Sequence, residues 1–177
     1  SVTARFISAD MGLIDTHTHL ETYARAGELP ATLERARAGG VEAMITIGTG
    51  TDDWSMYRDL AGAHRGVHYS VGLHPCSVES NWAEAVGQIE AFWDEAPASS
   101  VRPVALGECG LDRFHLPKDP AEAEKIFAWQ REAFIAQLAM VKRLGCPLFV
   151  HSLGAFRECV ELIDASGVDW KQTVFHC

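Results

Sequence analysis

Leu13-Ile14-Asp15-Thr16-His17-Thr18-His19 opens apolar and then carries an ionisable side chain at every second position. Strand side chains alternate between faces, so Asp15, His17 and His19 point one way and Thr16 and Thr18 the other. Two imidazoles on one face at the end of an apolar strand form a ready clamp for a divalent cation. Working outward, Val104-Ala105-Leu106-Gly107-Glu108 reads as a strand whose shared face, Val104, Leu106 and Glu108, ends in a carboxylate. Phe149 with His151, and Val174 with His176, repeat that design. Each strand thus delivers its polar group at its C-terminal end. That is where a β/α barrel gathers catalytic residues from several strands. A carboxylate buried among strand tips is costly unless paired or bound to metal.

The rest of the chain fits this reading. Short Val- and Ile-rich runs alternate with helical patterns, the mark of βαβ units around a parallel sheet. Strands are expected at 13–17, 41–48, 67–74, 103–108, 147–151 and 173–176, and helices near 30–38, 52–63, 82–95, 120–144 and 155–165. In the long fourth helix, Phe127, Phe134, Leu138 and Val141 make one apolar stripe, and Gly145 ends it. The expected fold class is therefore α/β, a TIM-type (β/α)8 barrel of which about six strands are present; a complete one takes about 250 residues.

Of the 177 residues, 47% are apolar and 22% charged, the balance of a globular domain, and the formal charge of −9 excludes a broadly basic nucleic-acid-coating surface. Any nucleic-acid contact must be local. Five cysteines without a C-x-x-C pair point to reduced thiols in the cytoplasm. No apolar run is long enough to span a membrane. Residues 1–10 read as a tag remnant or loose lead-in, with Met11 a natural start and 11–177 the incomplete barrel.

Leu13 to His19 resembles the opening motif of TatD-type metal-dependent hydrolases, in the amidohydrolase superfamily. Gly72-Leu73-His74-Pro75 resembles that family's third-strand motif, Gly107-Glu108-Cys109-Gly110-Leu111-Asp112 its fourth, and Phe175-His176-Cys177 the start of its sixth. The long helix matches at Gln130, Phe134 and Gln137-Leu138-Ala139, followed by Pro147 and His151-Ser152. The resemblance implies two divalent ions, zinc or manganese rather than magnesium at such histidine-rich positions. His17 and His19 would bind one and His151 and His176 the other, with Glu108 bridging both and serving catalysis. It also implies a DNA or other phosphodiester substrate. The resemblance places His74 at the substrate, while Arg113 and Lys118 after the Gly-Leu-Asp turn are candidates for phosphate contact. Asp15 is expected to orient His17 or another ligand.

Cys76 and Leu153 depart from the family's His and Arg, which puts substrate preference in question. Gly48-Thr49-Gly50-Thr51-Asp52 suits an anion nest or, more simply, a turn capping the next helix. His64, His68 and His115 read as structural. Two alternatives stand beside a phosphodiesterase: an ester or amide hydrolase on the same scaffold, such as an aminoacyl-tRNA deacylase, and a truncated, non-catalytic metal-binding chain. The family's eighth-strand Asp is expected on a separate chain, a cleaved segment or further residues, unless another copy covers the open sheet edges. Without it the chain alone should hydrolyse DNA more slowly by at least about 10²-fold.

Overall fold

The computed structural model describes residues 12–94 and 101–176; the expected lead-in, the end of the third expected helix and Cys177 lie outside them. Six parallel strands run in the order β1 (Leu13–Thr18), β2 (Val41–Thr46), β3 (Val67–Val71), β4 (Ala105–Asp112), β5 (Leu148–Leu153) and β6 (Thr173–His176). Between them lie α1 (Glu21–Arg25), α2 (Leu29–Ala38), α3 (Trp54–Ala63), α4 (Trp82–Gly87), α5 (Ala91–Asp94), α6 (Pro120–Leu144) and α7 (Phe156–Ser166). β1 pairs with β2 and β6 with β5, so the two edge strands do not close on each other through backbone hydrogen bonds. The sheet nevertheless curls into a half-barrel: the rings of His17 on β1 and His176 on β6 stack with centroids 3.6 Å apart. Along these edges Leu13, Ile14 and Val174 stay 59%, 63% and 45% exposed, an apolar face that a closed barrel would cover.

Helix α6 does most to organise the layer outside the sheet. Asp119 caps its start by accepting from the Glu122 amide at 2.9 Å, Pro120 occupies the first turn, and Gly145 ends it in the left-handed conformation at φ 63°. Phe127, Phe134, Leu138 and Val141 are all buried against the sheet. The same helix carries two buried amides seven positions apart. The Gln137 side chain accepts from the Leu73 amide at 2.8 Å and donates to the Leu73 carbonyl at 3.2 Å. That is why the third strand stops at Val71 rather than reaching His74: beyond it, a helix side chain meets the backbone groups that a neighbouring strand would otherwise pair. Trp54 adds a bond from Nε1 to the Gly72 carbonyl at 3.1 Å. Gly72 itself passes so close to β4 that a Cβ there would stand 2.5 Å from Gly107 Cα.

Three further differences from the sequence expectation have local causes. The expected helix from Trp82 onward breaks into α4 and α5, because Gly87 is a poor helix interior residue and a turn follows it. The short α1 has too few residues to show a periodic pattern. In β4 the expected inward face of Val104, Leu106 and Glu108 is wrong. Leu106, Cys109 and Leu111 pack into the helix-side core, while Ala105 packs with Ile47 and Phe149 on the other side. The register against β5 shifts between Leu106 and Cys109, and this irregularity returns Glu108 to the inner side.

Replacing Gln137 by Leu is expected to lower stability by about 1–3 kcal/mol, because it strands the Leu73 amide and carbonyl in a buried setting. A urea-unfolding midpoint unchanged from the parent protein would contradict that role.

Candidate metal centre

Glu108 is buried at 3% exposure and sits at the centre of the strand tips. Its amide donates to the Gly48 carbonyl at 2.9 Å, which ties the carboxylate-bearing segment of β4 to the loop after β2. Around the carboxylate stand three imidazoles from three strands: His151 Nδ1 at 3.2 Å, His176 Nδ1 at 3.5 Å and His17 Nε2 at 3.6 Å. His19 reaches the same place from beyond the end of β1, its ring centroid 5.2 Å from that of His17. Two sets of donor atoms that include Glu108 are close enough to share a cation, His17, His19 and Glu108, and His74, Glu108 and His151, while His176 joins through its contact with the Glu108 carboxylate. The five residues singled out from the sequence therefore come together on the concave side.

The turn that presents the first two histidines is held from behind. The Leu20 amide donates to the buried Thr46 hydroxyl at 3.2 Å, and the Tyr57 hydroxyl bonds the Glu21 carboxylate. Burial, with that carboxylate beside it, pushes the Tyr57 phenol far up, so it stays a donor. Asp15 is exposed, and its carboxylate accepts from the backbone amide of His17 at 3.1 Å, so it acts on His17 through the main chain. It steadies the strand end.

Electrostatics divide the histidines. Burial lowers the His17 pKa, with Glu108 opposing. Burial, with His151 beside it adding to the effect, takes His74 down to about 4, so its ring is neutral. Its Nδ1 accepts from the Cys76 amide at 3.1 Å, which leaves the proton on Nε2. For His151 burial would lower the pKa, but bonds to Glu108 and to Asp112 outweigh it and raise the group. For Glu108 and Asp112 the same contest ends with both held below the usual range, because the surrounding imidazoles and amides overcome burial.

Sequence reasoning read His115 as structural and gave Asp112 no role beyond its place in a motif, yet both meet the site. The Asp112 carboxylate, fully buried, meets His151 Nε2 at 2.9 Å, His115 Nδ1 at 2.8 Å and the His115 amide at 2.9 Å. The signal was available, since Asp112 lies four positions beyond Glu108 on one strand and so shares its side. Arg113 goes elsewhere. Its guanidinium bonds Glu158 at 2.8 and 3.2 Å and stacks over the Phe127 ring at 3.7 Å, so its contacts are with α6 and α7 rather than the histidines. The Gly48–Asp52 loop folds back on Asp53, whose carboxylate accepts from the Thr49 and Gly50 amides, so these amides are not open to an anion, and no side chain caps the start of α3.

With this geometry in view, comparison with known proteins is decisive. The model of the family "TatD related DNase" matches residues 14–177. The chain belongs to the TatD family. Among TatD relatives, the metal-dependent hydrolase YabD of Bacillus subtilis, whose function is uncharacterised, is 26% identical over 165 residues, covering 93% of this chain and 60% of its own length. The 3'-5' ssDNA/RNA exonuclease TatD of Klebsiella pneumoniae is 34% identical over 143 residues, covering 81% and 50%. The crystal structure of the TatD homologue YjjV from Escherichia coli superposes with a TM-score of 0.75 at 27% identity, covering 88% of this chain and 56% of that one. The chain thus spans about half to three-fifths of the length of these relatives. YjjV supports the reading of the curled sheet as part of a TIM-type barrel. Among the described residues no helix is long and apolar enough to cross a membrane.

Thr46→Val is expected to cost about 1–3 kcal/mol by leaving the Leu20 amide buried without an acceptor. The His17 and His19 ring resonances should shift in the same variant, and unshifted resonances would show that Thr46 does not hold this turn.

Proposed function

We propose that this protein hydrolyses phosphodiester bonds of single-stranded nucleic acid, working from 3′ ends, with His17 and His19 holding one divalent cation, His151 and His176 a second, and Glu108 bridging them. The observation that carries this reading is His17 Nε2. It is buried, has no hydrogen-bond partner among the described residues, and faces the Glu108 carboxylate at 3.6 Å. A buried ring nitrogen without a partner is costly in a finished protein, and a cation between it and Glu108 removes the cost. The donor set of imidazoles and one carboxylate suits zinc or manganese better than magnesium.

When bound by these residues, divalent cations would supply Lewis acidity to lower the pKa of water and offset negative charge developing at phosphorus. The chain's own residues do the rest. Glu108 offers one oxygen towards His17 and the other towards His151 and His176, the arrangement a bridging ligand needs. The Asp112 carboxylate lies 2.9 Å from His151 Nε2 and holds the ring so that Nδ1 is presented towards Glu108 at 3.2 Å. His74 presents a neutral ring with its proton on Nε2, and we assign it to donate that proton in a hydrogen bond to a substrate phosphate oxygen. The single-stranded substrate is taken from the exonuclease name of the Klebsiella relative. The described cysteines are all unpaired thiols, in keeping with a cytoplasmic protein.

Calorimetric titration of metal-free protein with manganese is expected to show two equivalents, and Glu108→Gln to lose at least one. Metal-dependent release of nucleotides from 3′ ends of single-stranded DNA should fall by at least about 10²-fold in the same variant. Unaltered metal stoichiometry in Glu108→Gln would overturn the ligand assignment. Intact binding without any nucleic-acid cleavage would overturn the substrate and leave an ester or amide hydrolase.

A further inference from the structure

Beside the histidine cluster a second group of donors converges. The Cys76 thiol, in the short 3₁₀ turn Pro75–Ser77, donates to Asp112 at 3.5 Å, and His115 Nδ1, on the loop after β4, meets the same carboxylate oxygen at 2.8 Å. Cys76, Asp112 and His115 each offer one ligand atom, all within 4.8 Å of one another. They come from three separate stretches of chain, and one side chain sets their spacing. Gln130 on α6 accepts from the Asp112 amide at 2.9 Å and donates to the Pro75 carbonyl at 3.3 Å, so it clamps the thiol-bearing turn to the carboxylate-bearing strand end. The His115 amide is fixed as well, on the other Asp112 oxygen.

We propose that Cys76, Asp112 and His115 form a third cation site, of soft character, that takes zinc or a similar thiolate-preferring divalent ion. From zinc bond lengths of about 2.3 Å to sulfur and about 2.0–2.1 Å to nitrogen or oxygen, tetrahedral donors stand roughly 3.3–3.6 Å apart. The three groups already straddle that spacing, so only side-chain adjustment is needed. The mixture of thiolate, imidazole and carboxylate differs in kind from the sulfur-free histidine cluster, and softness selects zinc over magnesium or manganese here. Cys76 and His115 are exposed while Asp112 is fully buried, which provides an open path for the ion and a buried charge to hold it. On binding, the thiol loses its proton to water as the sulfur–metal bond forms, and water completes the coordination. Asp112 then joins two centres, because the oxygen that faces Cys76 and His115 is the same one that meets His151 Nε2.

Cobalt replaces zinc in such sites and reports a sulfur ligand by thiolate-to-metal charge-transfer absorption, which histidine and carboxylate ligands do not produce. Titrating the metal-free chain with cobalt is expected to give that band, Cys76→Ser to abolish it, and Cys177→Ser to keep it. His115→Ala should raise the cobalt concentration at half-saturation of the band by at least about 10-fold. Glu108→Gln should leave the band in place while weakening the remaining cobalt binding, which separates this site from the binuclear one. Absence of the band at saturating cobalt, its survival in Cys76→Ser, or its loss in Cys177→Ser would each overturn the proposal.

Discussion

The buried carboxylate of Glu108 is the constraint around which the rest of the inner face is arranged. An ionised group at that depth is tolerable only when opposite charge or strong donors surround it. The fold answers with imidazoles from β1, β5 and β6, the first at one edge of the sheet and the other two at or beside the opposite edge. Only a curled sheet can bring β1 and β6 to the same group. The stacking of His17 on His176 is the visible result of that curl.

Polar side chains on α6 make the curl compatible with satisfied backbone. Strands splayed around a barrel mouth lose neighbours near their C-terminal ends, and buried amides there need other partners. Gln137 supplies them at Leu73, and Gln130 at Asp112 and Pro75. Glycine contributes at the tightest approach to backbone. Gly110, at φ 148°, lies against β5 so closely that a Cβ would stand 2.0 Å from the His151 carbonyl oxygen. That approach keeps the Asp112 and His151 side chains within hydrogen-bond reach of each other.

Charge adds a second constraint. A chain with formal charge −9 does not attract a polyanion through its overall field, so affinity for a phosphodiester has to come from a local positive centre. Arg113 does not supply it, because its guanidinium is committed to Glu158 and Phe127. Cations held by the histidine cluster would, and they would also neutralise Glu108 and Asp112.

From the residues alone came the strand and helix alternation, the limits of α6 and of β6, and the convergence of His17, His19, Glu108, His151 and His176. Those are consequences of local rules: period-two and period-3.6 patterning, capping by Asp119 and Gly145, and polar groups placed at strand ends. Strand alternation failed at Leu106, because the register shift in β4 depends on how that strand meets β5 and not on its own residue types. The roles of Gln130 and Gln137, read only as part of a family motif, emerge from contacts spanning 18, 55 and 64 positions. Asp112, Cys76 and His115 belong to the same class. Nothing local marks them as a group, since their association exists only once α6 has clamped the turn after β3 to the end of β4. Patterning along a chain fixes which face a side chain takes, whereas the partners it finds there are decided by tertiary packing, which brings distant segments to within a bond length of each other.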